Sequence, residues 1–328
     1  MRRALILALP LLLAACTAKP LVPPLRIYAA VDQEVAEQVF AAFTADTGIE
    51  VEAVYDSEAA KTAGLAKRVE IEKDSPGADI WWSGESLYTA MLDARGCFVA
   101  LPEGLPEAAR KFGGSRFAAH AGRLRVLVYS EKTWPKDLPP PTSVAALADA
   151  RLKGRCAAAN PQFGTSATHF SALNASGKGK ELLRRIADNG LQVVASNSAV
   201  VRAVAQGDAL LGLTDSDDAI ILRKDSPHIR MVIPDQGTGQ DGTVLTPASV
   251  AIIRKQRDSE EFVRWLVSKK GEAAMARSQM RNLPLVSDAK PPAELPPLRE
   301  LTVQHLDYSV LAARFEEHRA YLKATFRQ

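Results

Sequence analysis

Three aspartates lie within four consecutive positions about two-thirds of the way along the chain, after an apolar run that predicts a strand. Asp215, Asp217 and Asp218 therefore bring three carboxylates to the end of one strand. Like charges this close raise one another's pKa unless a cation, a donor-rich ligand or open water compensates them. We interpret the cluster as half of a binding site. A solvated acidic loop that caps the following helix is the alternative.

Polar side chains also follow the other strands that the sequence predicts. In an open α/β sheet, ligands bind at the carboxyl ends of the strands, so we expect these side chains to converge on one cleft. The candidate ligand-binding residues are Tyr28, Asp32, Glu58, Ser83, Glu85, Asn160, Thr165, Ser166, Asn197, Asp215, Asp217 and Asp218.

The candidates offer two kinds of chemistry. Carboxylates are hard oxygen ligands for a metal ion or partners for an organic cation, and the candidate metal ligands are Asp32, Glu85, Asp217 and Asp218. Gly164, Thr165 and Ser166 stand where a helix is predicted to begin, and backbone N–H groups and hydroxyls there favour an anion. Helix capping is the alternative for several of these residues.

Catalysis is the less favoured interpretation. Paired carboxylates can act as acid and base or hold metals. In this sequence, however, they stand without a nearby histidine, a nucleophile with its base, or a Gly-x-Ser-x-Gly turn. We therefore predict a binding protein that is not an enzyme, with a metal-dependent hydrolase as the alternative.

Alternating strand and helix patterns predict an α/β fold. The order β-α-β-α-β-α at 25–95 favours a doubly wound parallel sheet. A second α/β unit is nested in the middle of the chain, which predicts two lobes joined by a hinge of crossing strands near 124–129 and 248–253. We expect lobe 1 to comprise 26–123 and 250–328, and lobe 2 to comprise 124–249. A ligand held between the lobes would favour the closed form.

The first sixteen residues have the pattern of a lipoprotein-type secretory signal. Arg2 and Arg3 precede an apolar run at 4–13, which is too short to span a bilayer. The following lipobox-like sequence would make Cys16 the lipid-modified first residue, and cleavage without a lipid is the alternative. Residues 17–25 contain three prolines and predict a tether between a membrane anchor and a soluble body.

Charge and cysteine content limit the partners further. The net charge is only +3, and it falls when the signal arginines are removed, so no strong positive field favours nucleic acid. Cys97 and Cys156 are the other cysteines, and the sequence leaves open whether they form a disulfide.

Six segments of the chain together resemble the cleft motifs of the ferric-iron-type periplasmic solute-binding proteins, the receptors of ABC importers. The segments are 28–32, 55–65, 78–85, 160–166, 196–200 and 212–218. The resemblance covers nearly the whole mature chain. It implies the two-lobed periplasmic binding protein fold, a location in the periplasm or on the outer face of a single membrane, and partner permease and ATPase subunits.

The resemblance also implies roles for individual residues. Asp32 stands where ferric-binding members have a histidine, Glu85 lies close to their glutamate, and Asp217 and Asp218 stand where they have two tyrosines. The anion-holding positions match at Gly164, Thr165, Ser166 and Asn197.

Two ligand hypotheses follow from this resemblance. In the first, the ligand is a metal ion with a synergistic anion. In the second, it is an organic anion such as a sugar phosphate or an aminophosphonate. A lipid-anchored scaffold that never delivers a ligand to a permease is a third class of function.

Overall fold

The computed structural model describes residues 23–55, 61–278, 280–286 and 289–327. The predicted signal peptide, Cys16, most of the predicted tether and Glu58 lie outside the described residues. Within the described residues, no helix is both long enough and apolar enough to cross a membrane.

Strands and helices alternate through most of the described chain. The strands are β1 Leu25–Ala30, β2 Val51–Tyr55, β3 Ile80–Ser83, β4 Phe117–Ser130, β5 Cys156–Ala159, β6 Gln192–Val194, β7 Leu211–Asp215, β8 Ile229–Val232, β9 Thr243–Ile252 and β10 Val303–Gln304. The helices are α1 Gln33–Thr47, α2 Lys61–Ile71, α3 Leu87–Ala94, α4 Glu107–Lys111, α5 Gly164–Ala175, α6 Gly177–Asp188, α7 Asn197–Gln206, α8 Ser216–Arg223, α9 Arg257–Leu266, α10 Lys269–Arg277, α11 Tyr308–Ala313 and α12 Phe315–Thr325.

One sheet path runs through both halves of the molecule, in the order β2-β1-β3-β9-β4-β7-β5-β6. The strands β2, β1 and β3 are parallel to one another, as are β7, β5 and β6. Between these parallel groups, β9 and β4 pair antiparallel with each other and with their outer neighbours. The long strands β4 and β9 therefore join the two halves, as the predicted crossing strands require.

Each half has its own apolar core. The helix α1 turns Val35, Val39, Phe40 and Phe43 inward at helical spacing and ends where Gly48 adopts a φ of 74°. Phe43 packs edge-on against Phe262 of α9. In the other half, residues such as Phe170, Leu183 and Leu213 form a separate core between the sheet and α5 and α6.

The last two helices contact both halves. Tyr308, Leu311 and Phe315 join a cluster with residues of β1, β3 and α3. Leu322 of α12 joins the core that contains Phe170 of α5. The chain terminus, which the sequence-based division assigns to lobe 1, therefore contacts both halves of the structure.

Candidate functional site

A cavity of about 460 Å³ opens where strand ends of the two halves face each other. Because the carboxyl ends of parallel strands and the amino ends of the following helices meet at one edge, each half contributes loops to its wall. The polar and aromatic residues of the wall are Asp32, Thr62, Glu85, Tyr88, Arg123, Asn160, Phe163, Thr165, Ser166, Ser196 and Asn197. A wider groove of about 760 Å³ lies between α5, α6 and α11, and it contains none of the predicted site residues.

Arg125 is the centre of a buried network next to this cavity. Its guanidinium is fully buried, and Nη1 lies 2.5 Å from Asp215 Oδ1. Nη1 also donates to Thr165 Oγ1 and Asn197 Oδ1 at 3.2 and 3.0 Å, and Nη2 donates to Ser166 Oγ at 3.2 Å. Asp215 Oδ2 in turn accepts from Thr165 Oγ1 at 2.6 Å and from Asn197 Nδ2 at 2.8 Å. The predicted anion-binding side chains are therefore held by a protein ion pair.

Arg123 compensates a second aspartate. Its Nε lies 2.9 Å from Asp217 Oδ2, and its side chain also lines the cavity. Both arginines belong to β4, at positions of the same parity, and they reach over to the acidic end of β7, with which β4 pairs. The cation that the acidic cluster requires is thus supplied, for Asp215 and Asp217, by the chain itself.

Repulsion and burial still destabilise the charged forms of the aspartates in the acidic cluster. One carboxylate oxygen from each of Asp215, Asp217 and Asp218 lies within 4.8 Å of the others, close enough to share a metal ion. Burial raises the pKa of Asp217 to about 6, with Arg123 opposing and Asp215 adding to the rise. Burial and the charges of Asp217 and Asp215 raise the pKa of Asp218 well above its usual value. Asp218 therefore has the most to gain from a further cation.

Glu85 lines the cavity from the first half, one residue before Ser86, the N-cap residue of α3. Its Oε2 accepts from the backbone N–H of Leu87 at 2.6 Å, and its Oε1 accepts from that of Tyr88 at 3.1 Å. Burial raises its pKa to about 7, and the two N–H groups and Arg123 oppose that rise. The predicted glutamate thus lines the cavity with both oxygens already engaged by the first turn of a helix.

The structure places the remaining predicted residues in different surroundings. Asp32, at the N-terminus of α1, lines the cavity. Asn160 also lines it, and its Oδ1 accepts from the backbone N–H of Gln162 at 2.9 Å. Tyr28 and Ser83 are buried and are not among the lining residues. The Tyr28 hydroxyl donates to Glu72 at 2.5 Å, while Ser83 Oγ accepts from Glu85 N at 3.3 Å.

The residues of the wall and its support that are absent from the sequence prediction include two arginines and two aromatic residues. Arg123 and Arg125 carry a recognisable signal, because arginine is rarely buried without a partner and both interrupt an apolar strand pattern. Phe163 and Tyr88 carry no such signal, since an aromatic residue in a loop or helix is usually part of a core. Phe163 is 56% exposed at the N-terminus of α5 and lines the cavity.

The amino-acid sequence is similar to those of known binding proteins. A family model described as bacterial extracellular solute-binding protein matches residues 38–300. The chain is 27% identical over 283 residues to the major ferric iron-binding protein of Neisseria meningitidis serogroup A, with 81% of this chain and 82% of that protein covered.

Solved structures with the same architecture are also found. Iron-bound HitA from Pseudomonas aeruginosa has a TM-score of 0.77 at 22% identity, with 92% of this chain and 99% of that chain covered. A Trichodesmium protein in complex with iron and citrate ligands has a TM-score of 0.78 at 15% identity, with the same coverage. These likenesses confirm the predicted two-lobed α/β fold.

Proposed function

Because the chain belongs to the family of bacterial extracellular solute-binding proteins, we propose that it is the receptor of an ABC importer of the ferric-iron type. In this proposal the cavity between the lobes holds ferric iron together with an anion, and the lobes close on them. The lobes are 26–123 with 250–328, and 124–249, with β4 and β9 as the crossing strands. The N. meningitidis relative, named for ferric iron binding, supports the choice of cargo.

The observation that carries the proposal is the composition of the cavity wall. One half contributes the carboxyl groups of Asp32 and Glu85, and the other contributes the hydroxyls and the amide of Thr165, Ser166 and Asn197. Oxygen ligands suit a hard cation such as Fe(III). A solute that contacts both walls binds the closed form better than the open one, and this difference in affinity drives closure.

The cation and the anion would occupy different parts of the cavity. We propose that Asp32, Glu85, Asp217 and Asp218 provide the metal-binding carboxylates, with Asp218 able to approach the cargo because it is only partly buried. The anion would face Arg123 and the hydroxyl-bearing N-terminus of α5, where positive charge and backbone N–H groups favour it. A ferric ion with its anion thus matches the mixed charge of the wall.

An organic anion is a second candidate, favoured by Arg123 and by two aromatic residues. Phe163 and Tyr88 line the cavity from opposite halves, and Phe163 is half exposed. An aromatic face suits the ring of a sugar or another organic group, whereas a small inorganic complex gains nothing from it. A sugar phosphate or aminophosphonate would use Arg123 for its charged group.

The cellular setting is part of the same proposal. We propose a location in the periplasm, or on the outer face of the membrane in a cell with one membrane, with a lipid on Cys16 as the anchor. Permease and ATPase subunits would be the partners, and the solute would be bound without turnover.

A thermal-shift experiment on chelator-treated protein tests the proposal. The additions are Fe(III) citrate, Fe(III) with phosphate, citrate alone, and fructose 6-phosphate. A ligand at 100 times its Kd adds about 2.7 kcal/mol to the free energy of unfolding. We expect the unfolding temperature to rise with Fe(III) citrate or with Fe(III) and phosphate, and not with citrate alone. A rise with fructose 6-phosphate alone selects the second candidate, and no rise with any addition contradicts a solute site of either kind.

Two pairs of variants connect the thermal shift to the cavity. Asp32→Asn should lose the shift with Fe(III), whereas Asp225→Asn, at an exposed aspartate outside the cavity, should keep it. Phe163→Ala should weaken an organic anion and leave the ferric complex unaffected. Its control is Ile71→Ala, another exposed apolar residue. A full shift in Asp32→Asn would remove that carboxylate from the proposed metal ligands.

A further inference from the structure

The strand β4 contains one extra residue opposite β9. His120 pairs with Ala248 while Gly122 pairs with Pro247, so Ala121 has no counterpart. Ala121 adopts a φ of 39°, in the left-handed region that costs a residue with a Cβ about 1–2 kcal/mol. Such a bulge moves every later residue of the strand by one position relative to its neighbour. Because side chains alternate between the faces of a strand, the bulge decides which face Arg123 and Arg125 occupy.

A buried carboxylate holds this bulge. Glu272 of α10 is fully buried, and its Oε1 accepts from the backbone N–H of Ala121 at 2.8 Å. The same carboxylate accepts from Leu285 N at 3.0 Å and from Val286 N at 2.7 Å. Within the part of the chain that the structure describes, the Glu272 carboxylate forms no ion pair, and only burial and backbone N–H groups act on its pKa. Its partners are thus three backbone N–H groups, one of them at the extra residue.

The segment that shares Glu272 is itself attached to the bulge. Gly122 N donates to Leu283 O at 2.8 Å, and Leu283 N donates to Gly122 O at 2.7 Å. The two backbone bonds between Gly122 and Leu283 join β4 to the segment 283–286. Glu272 accepts hydrogen bonds from both of these chain segments. On the other side of the bulge, His120 Nε2 accepts from Trp82 Nε1 at 2.9 Å. The bulge is fixed from α10, from the segment 283–286 and from β3.

We propose that Glu272 is a positioning residue for the solute site, because it fixes the bulge that directs Arg123 and Arg125 toward the cavity and the acidic end of β7. The inference rests on the proposed function only in taking the cavity as the solute site. Arg123 and Arg125 follow the bulge by two and four residues, before β4 continues in register along β7. Without the extra residue, alternation would direct both guanidinium groups to the opposite face, away from Asp215 and Asp217.

A double-mutant cycle separates this role from simple anchoring of the segment 283–286. Oε1 of Glu272 accepts from Ala121 N and Leu285 N, and Oε2 accepts from Val286 N. Glu272→Gln replaces one of these oxygens by an NH₂ donor, so the N–H groups that face the new donor lose their acceptor. Ala121→Gly removes the cost of the left-handed backbone conformation, so the bulge depends less on Glu272. If Glu272 acts on the bulge, the loss caused by Glu272→Gln will be clearly smaller in the Ala121→Gly background. Purely additive losses in urea unfolding would overturn the proposal.

The indole N–H resonance of Trp82 provides a local signature. A change in the bulge alters its bond to His120, so Glu272→Gln should shift this resonance and the added Ala121→Gly should restore it. Glu261→Gln, at an exposed residue of α9, should leave it unchanged. Should Glu272→Gln alone fail to fold, folding of the double variant supports the proposal. If Ala121→Gly folds while both Glu272→Gln chains do not, the proposal is overturned.

Solute affinity tests the connection to the site. With Fe(III) citrate as the probe, Glu272→Gln should weaken binding about tenfold, the equivalent of one lost hydrogen bond to a charged group. The added Ala121→Gly should recover most of that loss. Weakening without recovery contradicts the positioning role. If the unaltered protein binds no probe, the proposed function fails, while the unfolding cycle and the Trp82 resonance still decide the role of Glu272.

Discussion

Buried carboxylates are stabilised in two different ways in the two regions around β4. Glu85 and Glu272 are held by backbone N–H groups, and burial raises the pKa of each to about 7. Asp215 and Asp217, at the end of β7, are paired with Arg125 and Arg123. The first kind of site keeps a charge that no side-chain cation fully compensates, and the second is largely neutralised within the protein. Residue type alone therefore does not determine which carboxylates attract a cation.

The comparison also explains the shape of the solute site. The ion pair of Arg125 and Asp215 supports the cavity wall, because Arg125 orients Thr165, Ser166 and Asn197. The carboxylates that line the cavity itself are Asp32 and Glu85. The cavity wall thus carries both carboxylates and the guanidinium of Arg123, whose positive charge acts on Glu85 as well as on Asp217.

The largest expected effect comes from breaking the arginine-paired region. Arg125→Met leaves Asp215 buried without its cation, so we expect a loss of about 3–5 kcal/mol in the free energy of unfolding. Urea unfolding measures this loss, and Arg202→Met, at an exposed arginine, is the control. Adding Asp215→Asn to Arg125→Met should recover part of the loss. A change below about 1 kcal/mol in Arg125→Met would contradict the description of this ion pair.

The stability that Glu272 contributes, as a carboxylate held by backbone N–H groups, should depend on pH. Because burial raises the pKa of Glu272 from 4.5 to about 7, folding favours its protonated form. Its contribution is fully present below pH 4.5 and is lost as the pH rises through about 7, by about 3 kcal/mol in all. The difference between unfolding free energies of the unaltered protein and Glu272→Gln, measured from pH 4 to 8, should follow this slope. A difference independent of pH would contradict the raised pKa.

Asp218 lies beside the arginine-paired aspartates, yet its pKa is raised well above its usual value. Burial and the neighbouring Asp217 and Asp215 raise its pKa well above the usual value, so Asp218→Asn should stabilise the protein at pH 7. The same change should weaken Fe(III) citrate if Asp218 approaches the metal. Thermal unfolding with and without Fe(III) citrate measures both effects. Destabilisation by Asp218→Asn would mean that its charge is compensated as well as that of Asp215.

The smallest effect is expected outside both regions. Tyr28 of β1 is a predicted ligand-binding residue, yet its hydroxyl donates to Glu72 and its ring centre lies 4.8 Å from the Arg68 guanidinium carbon. Tyr28→Phe should cost about 1 kcal/mol of stability, the value of one hydrogen bond, and leave Fe(III) citrate affinity unchanged. Calorimetric titration measures this affinity. Weaker binding of Fe(III) citrate by Tyr28→Phe would indicate that Tyr28 takes part in the solute site.

Much of the fold is readable in the sequence because it depends on local patterns. The spacing of Val35, Val39, Phe40 and Phe43 predicts α1, and the order of strands and helices predicts a parallel sheet in each half. The two crossing strands are recognisable as apolar runs near 124–129 and 248–253. The packing of α12 against α5 is not readable in this way, because an amphipathic helix can bury its apolar face against either half.

The sequence by itself determined the two-lobed architecture, the edges at which polar loops meet, and the kinds of chemical groups in those loops. Only the tertiary structure decided which carboxylates line the cavity and which are neutralised. The physical reason is that charge compensation acts through space. Arg125 and Asp215 are separated by 90 positions and come together only when β4 pairs with β7. A single extra residue at Ala121, fixed by Glu272 from a distant helix, decides which face those arginines occupy.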